Sequence, residues 1–154
     1  MIKDKLKELG LELPQPPQPI GSYVPVQVVG NLVFTSGHTA RINGVRRYLG
    51  KVGHDVSKDE AYLSARDAAL NCLASIDAAV GGLDRVKRIV KVVGFVNSAP
   101  GFNQQPSVLD GASDLLLDLF GAHGPHARSA IGAAELPYDA SIELEMVVEI
   151  EAVS

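Results

Sequence analysis

The chain's clearest pattern is at its C-terminal end. Residues 141–152 alternate: Ile142, Leu144, Met146, Val148 and Ile150 share one face, while Glu143, Glu145, Val147, Glu149 and Glu151 share the other. A period of two predicts a strand with one face in a core. Residues 87–97 are rich in Val and Ile on both faces and predict a central strand. Residues 24–29 and 32–36 are rich in Val, Phe and Thr and flank Gly30-Asn31, a two-residue hairpin signal. Asn43-Gly44 marks a weaker hairpin between residues 38–42 and 45–49. Residues 127–134 predict a short strand, and Leu136-Pro137-Tyr138-Asp139 turns from it into the last one.

The helical signals have a different period. Ser57-Lys58-Asp59-Glu60 is a capping box, in which hydroxyl and carboxylate each satisfy a free backbone amide. Ala61, Ala65, Ala68, Ala69, Cys72, Leu73, Ile76 and Val80 follow at helical spacing, and Gly81-Gly82 stops the run. The small side chains predict close packing on a sheet. Residues 106–120 predict a second helix, with Pro106 in its first turn and Gly121 at its end. Residues 2–9 can form one or two turns before Gly10. Pro14 to Pro19 then favours an extended arm lying over the body or over a neighbouring subunit.

The order is strands, helix, strand, helix, two strands. It predicts one α+β domain over residues 1–154, with residues 1–19 as an N-terminal helix and Pro-rich arm. The architecture is two-layer: a single mixed β-sheet with two helices packed on one face. Val147 among the glutamates, and the two-sided strand at 87–97, predict that other subunits cover the second face.

Composition narrows the function classes. A 46% hydrophobic and 21% charged chain of 154 residues can bury a core without disulfides or metals. The net charge of -4 lacks the basic footprint of a nucleic-acid binder. Arg46-Arg47 and the group Arg85, Lys87, Arg88 and Lys91 read as solvated faces and turns. Cys72, the sole cysteine, reads as a small core residue on the helix's apolar side. No apolar run reaches signal-peptide or membrane-span length, which predicts a cytoplasmic protein.

P-loop, dinucleotide fingerprint and nucleophile elbow are all missing from the sequence. His38, His54, His123 and His126 lack metal-ligand spacing, so no metal is expected. The chemistry must come from a sparse polar set. Two stretches contain it: Gly21-Ser22-Tyr23 with Gly30-Asn31 through Ser36-Gly37, and Ala127-Arg128-Ser129-Ala130 through Leu136-Pro137 to Ile142-Glu143-Leu144-Glu145. Their order and spacing resemble the Rid (YjgF, L-PSP) family. Val92-Val93-Gly94-Phe95-Val96-Asn97 fits the family strand that enters the second helix. The likeness spans roughly residues 19–152. The Pro-rich arm and the segment from Asn97 to Asp114 are similar to a longer branch, labelled endoribonuclease or chorismate-mutase-like.

The resemblance implies a chorismate mutase-like fold and a homotrimer with clefts between subunits. It implies hydrolysis of reactive 2-imino or 2-enamino acids to 2-keto acids and ammonia, without cofactor. Arg128 would hold the substrate carboxylate through its planar fork. Glu143 stands at the family position for orienting or deprotonating water. Tyr23 and Ser36 would line the cleft, Gly37 would allow close backbone approach, and the Ala130 main chain stands where the family often has Cys. Plainer readings sit beside these. Arg128 can be an ion-pair partner of a glutamate on an adjacent C-terminal strand. Glu143 can belong to a solvated face, Tyr23 to a core edge, Ser36-Gly37 to a strand-ending turn, and Asn97 to an ordinary turn. A trimer that binds small carboxylates without turnover is the alternative function. Ribonuclease activity fits the acidic charge and the lack of a suitable His pair least well.

Overall fold

A computed structural model describes residues 1–152. The elements run α1 (Ile2–Glu8), β1 (Val26–Val29), β2 (Leu32–Thr35), β3 (Arg41–Ile42), β4 (Val45–Arg46), α2 (Lys58–Val80), β5 (Val86–Asn97), α3 (Gln105–Phe120), β6 (Ala127–Ala133) and β7 (Ile142–Ile150). Five strands form one sheet in the order β1-β2-β7-β5-β6. The β5–β6 pair is parallel and the other pairs are antiparallel, so the sheet is mixed. β3 and β4 form a separate two-stranded ribbon at the Asn43-Gly44 turn.

The alternation of the last strand decides which face the helices cover. Ile142, Leu144 and Val148 are fully buried, as are Val92 and Val96 on neighbouring β5. Each such side chain contributes roughly 1.5–3 kcal/mol by leaving water. α2 starts at the expected capping box: the Ser57 hydroxyl accepts from the Glu60 amide at 3.1 Å, and the Glu60 carboxylate accepts from the Ser57 amide at 3.1 Å. Gly81, in the left-handed region at φ 82°, ends it. α2 and α3 touch closely enough that a Cβ on Gly111 would lie 1.9 Å from the Tyr62 carbonyl oxygen. α1 adds a third helix beside α3, where Leu6 is 1% exposed and Lys5 Nζ donates to the Leu119 carbonyl at 3.2 Å. The architecture is thus α+β with a mixed sheet and three helices, of which α2 and α3 make the sheet-covering layer.

One expectation needs correction. β6 and β7 are consecutive in sequence but not neighbours, because β5 lies between them. The two-sided apolar character of β5 is only partly used within one chain. Lys91, Val93 and Phe95 are half-buried on the face away from the helices. In the rows beside them, Phe34 is 41% and Ile131 46% exposed. Among the described residues no helix is long and apolar enough to cross a membrane.

Candidate functional site

Beyond β2 the backbone stays beside β7. The His38 amide donates to the Leu144 carbonyl and the Leu144 amide to the His38 carbonyl, both at 2.8 Å. This places Gly37 against Glu143. A Cβ on Gly37 would lie 2.8 Å from the Glu143 carboxyl carbon, so only glycine leaves the carboxyl its position. Glu143 and Gly37 open into a cavity of about 460 Å³, which Tyr23 and Ser36 also line. Four of the six residues named from the sequence are therefore brought together in one chain.

The groups in this cavity are chemically distinct. Glu143 is half-buried, and burial, aided by the charge of Glu145, holds its carboxyl pKa above the usual 4.5. That is not the behaviour of a solvated glutamate face. The Ser36 hydroxyl donates to the Val24 carbonyl at 2.6 Å, which leaves its oxygen free to accept from a ligand. Tyr23 is half-exposed at the rim. Behind Ser36, buried His38 places Nδ1 2.7 Å from the Ser36 carbonyl and Nε2 2.8 Å from the Ser75 hydroxyl. A carbonyl can only accept, so Nδ1 carries the proton and Nε2 accepts from Ser75. Desolvation lowers the His38 pKa, keeping the ring neutral.

Arg128 and Ala130 lie elsewhere. Both are on β6, the far edge of the sheet, in register with Val92 and Gly94 on the helix-facing side. Arg128 Nη1 donates to Asp110 Oδ1 at 2.8 Å and to the Ser113 hydroxyl oxygen at 3.1 Å. Ser113 in turn lies 2.9 Å from Nε2 of His126, whose Nδ1 donates to the Gly124 carbonyl at 2.7 Å. The ionic partner is thus Asp110 on α3, not a glutamate of the C-terminal strand, because β5 separates that strand from β6. The Arg128 side chain remains 22% exposed.

The cavity also holds residues that the sequence reading left aside. Arg41 and Arg46 line it, with Tyr138 and Asn71. Of the Arg46-Arg47 pair, Arg47 behaves as a surface residue, with Nε 3.5 Å from Asp67 Oδ2. Arg46 instead points its guanidinium at the Tyr138 ring, 4.0 Å from the centroid. One available signal was the Asn43-Gly44 turn, which sets Arg41 directly opposite Arg46. The Pro-rich arm forms a further wall through Pro17, Gln18 and Pro19. Asn97 proves to be more than a turn residue: it is fully buried, and its Nδ2 lies 3.1 Å from the Ala140 carbonyl and 3.2 Å from Asp139 Oδ1.

The sequence profile described as "YjgF/chorismate mutase-like, putative endoribonuclease" matches residues 3–150. The chain belongs to this family. Among relatives, it is 40% identical over 150 residues to Protein TCP17 of Trypanosoma cruzi, covering 97% of this chain and 94% of that one. It is 32% identical over 143 residues to a 2-iminobutanoate/2-iminopropanoate deaminase of Dermatophagoides farinae, covering 92% and 95%. Among solved structures it resembles a protein from Shewanella oneidensis described as a putative endoribonuclease. That likeness has a TM-score of 0.94 and 34% identity, and covers 97% of this chain and 99% of the other.

Proposed function

We propose that the protein is a cofactor-independent deaminase that hydrolyses reactive 2-imino acids to 2-keto acids and ammonia. The observation that carries this reading is the Glu143 carboxyl, half-buried against Gly37 in an open cavity, with its pKa raised toward the range useful for proton transfer. The deaminase of Dermatophagoides farinae, similar along nearly its whole length, supports the reaction class.

The site needs a second copy. Arg128 sits across the sheet from Glu143 and cannot serve the cavity of its own chain. The half-open sheet face, with Phe34, Phe95 and Ile131, supports assembly into a homotrimer. Each cleft then joins the cavity of one subunit to the β6 edge of the next. There Arg128 holds the substrate carboxylate bidentately, and main-chain groups at Ala130 approach it. The substrate's imine carbon faces Glu143. The Glu143 carboxylate takes a proton from water as the oxygen adds to C2 of the protonated imine, giving a neutral carbinolamine. Glu143 passes that proton to the nitrogen and takes up the hydroxyl proton as the C–N bond breaks. Ammonia leaves, the C2–O bond becomes the carbonyl of the keto acid, and the proton left on Glu143 is released to solvent or ammonia. The imine is intrinsically hydrolysable, so positioning and one proton carrier suffice. Tyr23 and Ser36 orient the substrate.

The test is to generate an imino acid in situ with an amino-acid oxidase and follow keto-acid release with and without the protein. Acceleration by the wild type that is lost in Arg128→Ala supports the reading. No acceleration with any imine overturns it. Keto acids bound but unaltered would make the protein a non-catalytic carboxylate binder instead.

A further inference from the structure

The β3–β4 ribbon carries an arrangement that elementary electrostatics opposes. Arg41 and Arg46 are directly opposite cross-strand partners, and like charges so placed destabilise a pair of strands. Among the described residues neither guanidinium is within salt-bridge distance of a carboxylate, although other arginines of the chain are so paired. Both line the cavity that contains Glu143.

Each guanidinium is held from the side by a neutral group. Arg41 Nη2 donates to the Gln18 carbonyl of the Pro-rich arm at 2.8 Å. Arg46 lies over the Tyr138 ring. The structure holds Tyr138 there at a conformational cost, since Tyr138 and Asp139 both have left-handed backbones, at φ 56° and 57°. That corner is fixed by buried Asn97 and by the Gly50 amide, which donates to the Asp139 carbonyl at 2.8 Å. The carboxyl of Glu143 is governed by burial and Glu145, not by these cations. One part of the cavity therefore offers a proton carrier, and another offers two fixed positive charges.

We propose that Arg41 and Arg46 form a second anion subsite, and that the preferred substrates are 2-imino dicarboxylates. The inference rests on the reading of the cavity as an imino-acid site. The partner's Arg128 takes the carboxylate beside the imine, and the ribbon pair takes the distal acid. The two cations then gain in the complex the counter-charge they lack in the free protein. Arginine suits this role better than lysine because its fork matches a carboxylate.

The experiment has a turnover arm and a binding arm. In the first, oxidases acting on alanine and on glutamate generate a monocarboxylate and a dicarboxylate imine, and kcat/KM is compared for wild type, Arg41→Gln/Arg46→Gln and Arg41→Lys/Arg46→Lys. The expected result is a diacid preference of roughly tenfold or more, the scale of one charge-assisted contact. That ratio collapses in the Gln variant and is partly kept in the Lys variant. In the second arm, calorimetry compares 2-oxoglutarate with pyruvate, with circular dichroism confirming that the variants fold. Equal kcat/KM for both imines in the wild type, or a ratio unchanged in the Gln variant, overturns the diacid subsite. Tighter binding of 2-oxoglutarate that needs both arginines, without turnover of any imine, upholds the subsite and overturns the deaminase reading.

Discussion

The two halves of the proposed chemistry sit in contrasting surroundings. Glu143 is on an interior strand, half-buried against a glycine and beside another glutamate, so its charge is opposed. Arg128 is on an edge strand, and its charge is supported by Asp110 and Ser113. In the proposed reaction, one group changes protonation and the other is held in one orientation for recognition. A proton carrier requires a destabilised charge, whereas an anchor requires a stabilised one. One sheet supplies both because it has an interior and an edge.

The largest effect should come from removing the tuned group. Glu143→Gln is expected to lower kcat by on the order of 10²–10⁴ while retaining the native circular dichroism spectrum. Wild-type kcat/KM should fall on the acid side as Glu143 takes up a proton, with a midpoint above 4.5. An acid limb unchanged in the Gln variant would refute its role.

The anchor should be next. Arg128→Ala is expected to lower kcat/KM about 100-fold, and Arg128→Lys about tenfold, because an ammonium cannot reproduce a bidentate hold. If Lys matches Arg in steady-state kinetics, the substrate carboxylate is not held by the fork.

Gly37→Ala tests the contact between the cavity and its carboxyl. The added methyl would meet the Glu143 carboxyl at 2.8 Å, and that carboxyl, at the end of a flexible side chain, can move. Activity should fall about tenfold or more, while thermal unfolding shifts little.

A stability measurement distinguishes the two charges with opposite signs. Burial raises the Glu143 pKa, so the stability its neutral form gives below pH 4.5 is lost as pH rises through the folded-state value. Glu143→Gln should therefore melt higher than wild type at pH 7, and the advantage should vanish below about pH 4. Asp110→Ala should do the least. Its side chain is 51% exposed, so the stability change should stay within ~1 kcal/mol. A larger loss in chemical denaturation would show that the Arg128 pair is a structural element rather than an oriented anchor.

Much of this was legible from local pattern. The strict alternation of residues 142–150 announced both the core face and the row of glutamates, because side chains of a strand alternate whatever the fold. The capping box at Ser57 and the stop at Gly81 set the limits of α2 through hydrogen bonds between near neighbours. The turn signal at Asn43-Gly44 correctly marked a ribbon. Four of the named site residues, Tyr23, Ser36, Gly37 and Glu143, do meet in one cavity. In each of these cases the deciding interactions span few residues, or depend only on the strand or helix period.

Only the tertiary structure decided the rest. Strand order is set by long-range pairing, so nothing local revealed that β5 would separate β6 from β7 and send Arg128 to Asp110. The same holds for Glu143, whose pKa is raised by burial and by Glu145, and whose carboxyl packs against Gly37 more than a hundred positions earlier. Arg46 read as a solvated charge because it stands in a basic pair with Arg47, and only Arg47 behaves that way. Its place in the cavity follows from a ribbon, an arm and a strained corner that converge in space. Sequence therefore determined which groups are present and on which face of each element they project. Packing determined which of them share a dielectric environment, and so which charges are opposed and which are held.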